Sequence, residues 1–315
     1  MISARDQDER REDRAVTAIR RIGKLGTFNH GVTRNSARVR MQLESRPENV
    51  ALVRAALSGL AEALDLGEEL LADLKTAVSE ACNNVVVHAY GDAAGPMAVD
   101  IIATPGGVAA SVTDHGCGLH QLTAADPEHM GLGLALISAL AQQSEFRMPE
   151  GGGTEVRMRF RRDPMVADHE HEYVFPEGDA IDPNELAGDV VVEVAPPTVM
   201  RFVLGRISRA IAAMSRFSTE RFADLYPVNE AFADYVEYAA DGAVGIAISG
   251  SSRRLTVTVG PLITRHTEGR VPAADSGELR ARHQALEQLA DDLSFERRER
   301  GELVRLVLSD ERPAS

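Results

Sequence analysis

Apolar positions recur with two different periods along residues 39–160 and divide this stretch into strands and helices. A period of two indicates a half-buried strand, and a period near 3.6 indicates an amphipathic helix. Because helices and strands do not alternate singly, we expect an α+β fold with its helices on one face of a mixed sheet. The pattern predicts strands at 39–45, 97–103, 108–114, 144–150 and 153–160, and helices at 46–64, 67–90 and 131–142.

The first predicted helix begins with a recognisable N-terminal signal. Ser45 precedes Pro47, and Glu48 follows Ser45 by three residues. This spacing predicts a capping box, in which the serine is the N-cap and the glutamate bonds back to it.

The chain after residue 188 repeats the pattern before it. The segment that begins at residue 222 matches the one that begins at residue 72, so that Glu230 falls on Glu80 and Asp234 on Asn84. The glycine-rich segments of the first copy do not recur. We therefore predict a second, degenerate copy of the same fold over residues 189–311, without nucleotide motifs.

An acidic, proline-punctuated stretch at 163–188 separates the two copies and is predicted to be a linker. His169 and His171 stand among acids there, but their spacing fits no recognised metal site. We favour a solvated charge run.

The distribution of charged residues is most uneven at the N-terminus. The whole chain carries a net charge of −14, whereas residues 1–40 hold ten Arg or Lys against five acids. We predict a disordered basic tail over 1–38; a basic arm for an acidic partner and a translation start at Met41 are the alternatives.

Composition excludes several classes of function. An acidic chain without Trp and with 4% aromatic residues is a poor nucleic-acid binder, and no direct nucleic-acid contact is expected. No apolar run has the length of a signal peptide core or a membrane span, so we expect a cytoplasmic protein without membrane contact. Cys82 and Cys117 lie in separate segments, which argues against a disulfide framework.

Four short segments carry candidate chemistry. Glu80 and Asn84 lie one helical turn apart, about 40° from each other on the flank of an apolar stripe. Asp114 ends an apolar strand, where a carboxylate can accept a hydrogen bond from an exocyclic amine. Taken singly, the pair on the helix reads as ordinary surface residues, and Asp-x-Gly-x-Gly as a common tight turn.

Glycines complete these segments. Gly116 and Gly118 follow Asp114 and permit close approach of the backbone to a ligand. Gly131 and Gly133 open an apolar helix, whose free N–H groups can bind phosphate, although such glycines also simply cap core helices. Thr154 begins the last strand, where its hydroxyl could reach a base.

Together, in this order, the segments "SEACNNVVVHAY", "VTDHGCGL", "HMGLGLALISAL" and "GGGTEV" resemble the nucleotide boxes of the GHKL superfamily. With the preceding "SRPENVALVR", the first of them is similar to the anti-sigma-factor serine kinases of bacterial partner-switching systems. The resemblance covers about residues 39–161 and implies a two-layer α/β sandwich of the histidine-kinase-like ATPase type.

The resemblance also implies residue roles. Asn84 would hold Mg²⁺ against the triphosphate of ATP, and Glu80 would be the general base that takes the proton of a substrate serine. Asp114 would read adenine with help from Thr154. The base pocket would be shaped by Gly116 and Gly118, and the phosphates lined by Gly131 and Gly133.

One departure affects the expected rate. The predicted lid at 119–130 contains no Arg or Lys to contact the γ-phosphate, so the triphosphate would rely on Mg²⁺, the backbone and His115 or His129. The first hypothesis is therefore a serine/threonine kinase that phosphorylates an anti-anti-sigma (STAS-type) antagonist and binds a sigma factor. The alternative is an ATP-sensing anti-sigma or adaptor protein without phosphoryl transfer.

Two further readings rank lower. The ATPase half of a sensor histidine kinase needs a phosphoacceptor histidine on an upstream helix, and only His30 is available, without a helical pattern. A purely structural role is disfavoured by the four nucleotide-type segments. Family members commonly act as homodimers, so the copy at 189–311 could replace a second protomer in an intramolecular pseudo-dimer.

Overall fold

A computed structural model describes residues 36–118, 127–149, 151–162, 186–234, 242–262, 284 and 286–310. We call residues 36–162 the first half and residues 186–310 the second half. Predictions for the tail, most of the lid and most of the linker lie outside the described residues.

Ten strands form one sheet in which every pairing between described strands is antiparallel. The prediction of a mixed sheet was therefore wrong. The helices pack on one face, as expected. The strands are β1 (Ala37–Glu44), β2 (Pro96–Thr104), β3 (Gly107–Asp114), β4 (Gln143–Arg147), β5 (Glu155–Arg161), β6 (Val190–Ala195), β7 (Val244–Ser251), β8 (Arg254–Leu262), β9 (Asp292–Arg298) and β10 (Gly301–Ser309).

Three helices belong to the first half: α1 (Pro47–Leu64), α2 (Glu68–Asn84) and α3 (Pro127–Leu140). α1 and α2 bury one stripe each because their apolar residues repeat with the helical period. On α2 the stripe includes Leu74, Ala77 and Ala81, all fully buried, as the sequence predicts. This orientation leaves the flank of α2 that carries Glu80 and Asn84 beside the core.

The capping box at the start of α1 was not found. The N-cap is Arg46, in extended conformation, and no side chain caps the helix. Ser45 instead accepts a hydrogen bond from the Gly95 N–H at 3.0 Å, which ties the start of α1 to the loop before β2. A tertiary partner has thus replaced the local one.

The end of the second predicted helix also differs. The α-helical part of α2 stops at Asn84, and residues Val85–Ala89 form a π-helical turn. Such turns are rare and occur often at functional sites. Here the turn follows directly after the predicted Mg²⁺ ligand.

β1 begins at Ala37, earlier than the sequence pattern indicates. Arg38 lies in this strand, and its Nη2 contacts Asp100 Oδ1 at 2.7 Å, while Arg40 Nε lies 3.0 Å from Asp100 Oδ2. Residues 37–40 are therefore part of the folded domain, so a chain starting at Met41 would lack half of β1.

The second half contains α4 (Met200–Met214), α5 (Thr219–Ala223) and α6 (Leu225–Asp234) beside its five strands. Counted outward from the centre, the first half runs β1-β2-β3-β5-β4, and the second runs β6-β7-β8-β10-β9. The two halves therefore share one strand order, and they meet where β1 pairs with β6, with Met41 opposite Val192.

α1 and α4 pack against each other above this strand pair. A Cβ on Gly59 of α1 would lie 2.6 Å from the Phe202 carbonyl oxygen of α4, so the backbones approach closely at that point. Arg206 and Glu62 form an ion pair of 2.8 Å at the exposed edge of the contact. Within the described ranges, no helix is both long enough and apolar enough to cross a bilayer.

Candidate nucleotide site

The N-terminal part of α3 lies against the predicted catalytic pair on α2. A Cβ on Gly133 would collide with Glu80 Oε1 and would lie 3.4 Å from Asn84 Oδ1. The absence of a side chain at position 133 therefore lets α3 reach both polar groups. The structure brings together Glu80, Asn84 and Gly133, which the sequence singled out separately.

Asn84 carries an unusual unsatisfied group. Its side-chain Nδ2 is buried and has no hydrogen-bond partner. Buried polar atoms are nearly always bonded in folded proteins, and an exception often marks a ligand position. The side-chain amide of Asn84 is thus available to a group that the described residues do not supply.

The glycines of α3 lie elsewhere than predicted. α3 begins at Pro127, so Gly131 and Gly133 lie in its second turn and do not open it. Proline favours the first turn because its fixed φ suits the helix and its missing N–H is not needed there. Gly133 therefore serves close packing on α2, and the free N–H groups of the helix start precede residue 131.

Asp114 ends β3 and is only 2% exposed. Its Oδ1 accepts a hydrogen bond of 2.8 Å from the Gly116 N–H, and burial raises the pKa of this carboxyl, partly offset by that bond. Thr154 lies beside it, since the Asp114 N–H donates to the Thr154 carbonyl at 2.9 Å. The Thr154 hydroxyl is buried and makes no hydrogen bond of good geometry with the described residues, but it lies near enough to the Asp114 carboxyl to help lower the pKa of that group.

Three glycines shape the walls at this strand end. A Cβ on Gly116 would collide with the Ala89 carbonyl, and one on Gly153 would collide with the backbone of Asp114. Gly118 and Gly153 also adopt φ values of +75° and +86°, which residues other than glycine rarely adopt. Gly153 was missed as a site residue by the sequence reasoning, which placed it only at the start of the last predicted strand.

Tyr90 was also missed. Its hydroxyl donates to the Pro96 carbonyl at 2.5 Å and accepts from the His115 N–H at 2.8 Å. The Cys117 N–H donates to the Ala89 carbonyl at 2.9 Å. The π-helical turn after Asn84 is thereby joined by hydrogen bonds to the loop after Asp114. A Tyr directly after "VVVHA" was the only available signal.

The two cysteines differ in environment. Cys82 is buried, and burial raises the pKa of its thiol to about 12. Cys117 is an exposed free thiol on the loop after Asp114, with its Sγ 3.4 Å from the His88 carbonyl. Neither is part of the polar cluster formed by α2 and α3.

The site therefore has two ends. One presents Glu80 and the Asn84 amide beneath α3, and the other presents Asp114 and the Thr154 hydroxyl at the ends of β3 and β5. Unsatisfied atoms occur at both ends, which fits a ligand with a hydrogen-bonding base and a polar tail. A nucleotide has that chemistry.

Comparison with known proteins agrees with this arrangement. Residues 43–160 match the model of the histidine kinase-like ATPase domain. The fold and the site thus define a domain of the GHKL-type ATPase class.

Individual relatives indicate which family of GHKL domains this chain belongs to. The chain is 35% identical to the anti-sigma F factor of Pasteuria penetrans in an alignment of 134 residues. The alignment covers 38% of this chain and 88% of that relative. It is 29% identical to the anti-sigma F factor of Caldanaerobacter subterraneus over 36% of this chain and 86% of the relative. The serine-protein kinase RsbW of Bacillus cereus is 28% identical, over 36% and 79% respectively. The chain belongs to the anti-sigma-factor serine-kinase family of GHKL domains.

Proposed function

We propose that the first half is an ATP-dependent serine/threonine kinase that phosphorylates an anti-anti-sigma antagonist of the STAS type and binds a sigma factor. The observation that supports this most directly is the meeting of Glu80 and Asn84 beneath Gly133, with unsatisfied polar atoms at both ends of the site. The names of the relatives agree with an anti-sigma kinase type of activity. We expect such a protein to act in the cytoplasm.

ATP would be bound from its two ends. Asp114 would accept a hydrogen bond from the exocyclic amine of adenine, and the Thr154 hydroxyl would complete the contact to the base. Gly116, Gly118 and Gly153 would shape this pocket, because they let the surrounding backbone segments approach closely. The α3 segment with Gly131 and Gly133 would line the phosphates.

Asn84 would hold Mg²⁺ through its side-chain oxygen. Among the described residues, no three His, Cys, Asp or Glu side chains form a metal cluster, so the remaining ligands would be triphosphate oxygens and water. The ion, when bound, supplies neutralisation of phosphate charge.

Glu80 would act on the acceptor. Its carboxylate lies one helical turn before Asn84 and reaches the same space beneath α3. In that place it can accept the proton of a serine hydroxyl as the oxygen attacks the γ-phosphorus and the bond from that phosphorus to ADP breaks. The missing side chain at Gly133 lets α3 approach this carboxylate closely.

The alternative is an ATP-sensing anti-sigma or adaptor protein without transfer. The absence of Arg and Lys from residues 119–130 favours it, because no lid cation is available to the γ-phosphate. The intact Glu80 and Asn84 favour the kinase.

We further propose that the second half is a degenerate copy of the domain and replaces a second protomer. The shared strand order, the β1–β6 pairing and the α1–α4 contact support this reading. Sedimentation of the purified chain should then give the mass of one chain; a stable dimer would favour the homodimer instead.

The nucleotide proposal is tested by titrating Mg-ATP into the full chain. Asp114→Asn should weaken binding about tenfold or more, because it weakens a hydrogen bond to a charged acceptor. Unchanged affinity would remove Asp114 from the base pocket. Transfer is then tested with γ-labelled ATP and the STAS-type proteins of the same genome; binding without label on any of them would favour the adaptor.

A further inference from the structure

The second half contains a buried acid whose position corresponds to that of Thr154. The side chain of Glu302 has no exposed surface, although it lies near the edge of the core, and within the described residues neither carboxylate oxygen has a hydrogen-bond partner. A buried carboxyl without a partner costs considerable stability and is rare outside functional sites.

The correspondence follows from strand register. In the first half Val156 of β5 pairs with Phe146 of β4 and with Val112 of β3. In the second half Val304 of β10 pairs with Phe295 of β9 and with Val259 of β8.

Thr154 precedes Val156 by two residues, and Glu302 precedes Val304 by two. Because side chains alternate along a strand, each lies on the same face as its valine, and Val156 and Val304 both belong to the main core beneath the helices.

The residue across the sheet from this position also differs between the two halves. Asp114 is backbone-bonded to Thr154, whereas the register partner of Glu302 on β8 is Leu262, which a β-bulge places three residues after Val259. The first half therefore has an acid on one strand and a hydroxyl on the next, and the second half has an apolar residue and an acid. In the second half the acidic residue therefore lies on the neighbouring strand, at the same end of the sheet.

The arginine that is paired with this acid in the sheet register does not bond to it. Arg297 on β9 is the register partner of Glu302, but no hydrogen bond joins them. Burial raises the pKa of Glu302, and the charge of Arg297 only opposes this.

We propose that the second half binds a small ligand that presents two adjacent N–H donors to Glu302, as the edge of a guanine base or a guanidinium group does. A carboxylate with both oxygens free matches two parallel donors, and such bidentate pairs are strong. The second half has no Gly-x-Gly phosphate segment, so the ligand needs no triphosphate. The site is distinct from the ATP site proposed for the first half.

The test uses the full chain and two probes, guanosine for the base edge and agmatine for the guanidinium. Calorimetry and thermal unfolding should show saturable binding of one of them, and Glu302→Gln should weaken it at least about tenfold. Glu193→Gln, which alters a partly buried acid of the second half, should leave it unchanged. The probe that binds identifies the source of the donors. Binding of neither at millimolar concentration, or binding that survives Glu302→Gln, would overturn the proposal.

A second measurement needs no ligand. Glu302→Leu should raise the unfolding midpoint of the free protein by at least about 2 °C, because it removes an unpaired buried carboxyl. A lowered midpoint would mean that the chain itself satisfies Glu302 and would overturn the proposal. Titration of Mg-ATP into the same wild-type sample reports on the first half separately, so failure of either proposal is recognised independently.

Discussion

The two halves of the sheet have the same strand order but differ in polar residues at corresponding positions. In the first half, Glu80 and Asn84 lie together against Gly133, Asp114 ends β3, and within the described residues the Asn84 Nδ2 atom has no hydrogen-bond partner. In the second half, the strand end equivalent to Asp114 carries Leu262, and the glycine segments are missing. The shared strand order thus accompanies a shared apolar pattern, whereas the polar residues and glycines of the candidate site occur in the first half.

The largest expected effect is a difference in phosphoryl transfer between variants of Glu80 and Glu230, the two glutamates aligned by sequence. Glu80→Gln should lower phosphoryl transfer about 10²- to 10⁴-fold while ATP still binds, because only the proton acceptor is removed. Glu230→Gln, the matched change in α6, should leave transfer unchanged. The measurement is label transfer under single-turnover conditions. Equal losses in both variants would mean that the halves do not differ in this role.

The next effect concerns the metal ligand. Asn84→Ala should weaken Mg-ATP binding at least about 100-fold, since even outer-shell partners of a metal contribute about 10- to 100-fold. Asp234→Ala is the control at the position aligned by sequence and should bind as the wild type does. Calorimetry distinguishes them. Normal binding by Asn84→Ala would contradict the assignment.

The contact between the halves contains a titratable acid. Glu193 of β6 lies opposite Arg40 of β1, and burial raises the pKa of Glu193 to about 7, with Arg40 and Arg38 opposing the shift. The folded state therefore holds a proton that the unfolded state loses first, so stability should fall as pH rises from about 4.5 to about 7 and then level off.

Glu193→Gln removes this titration. The variant should match the wild type near pH 4.5 and exceed its unfolding free energy at pH 8 by up to about 3 kcal/mol. Denaturant unfolding across this pH range measures the difference. A constant difference at all pH values would show that Glu193 does not titrate in the folded protein.

The smallest effect compares two helix glycines. Gly59→Ala in α1 should lower the free energy of unfolding by about 1–3 kcal/mol, because the new methyl group would overlap the backbone of Phe202. Gly205→Ala in α4 meets only Asn229 Nδ2 at 3.8 Å and should be neutral or stabilising by up to about 1 kcal/mol. A tolerated Gly59→Ala would show that the two helices can separate without cost.

Local patterns predicted much of the first half. The apolar stripe of α2, the strands around Gly106 and the acid at the end of β3 all follow from periodicity and turn residues. The capping box failed because Ser45 found a partner fifty residues away at Gly95. The mixed sheet failed because strand direction depends on how connections cross the sheet, which periodicity does not encode.

The site was predicted only in part for the same reason. Glu80, Asn84 and Asp114 were recognisable from residue type and spacing, whereas Gly153 and Tyr90 act through contacts with distant backbone. Gly131 and Gly133 were recognised as glycines of the site, but the start of their helix was placed four residues late.

The sequence by itself determined which segments are strands and helices and which residues can bind a nucleotide, because periodicity and side-chain chemistry are local properties. Only the tertiary structure decided that β1 joins β6 in one sheet, that Gly133 meets Glu80 and Asn84, and that Glu302 is left without a partner. These facts depend on packing between residues far apart in the chain, where burial determines which polar atoms remain unsatisfied.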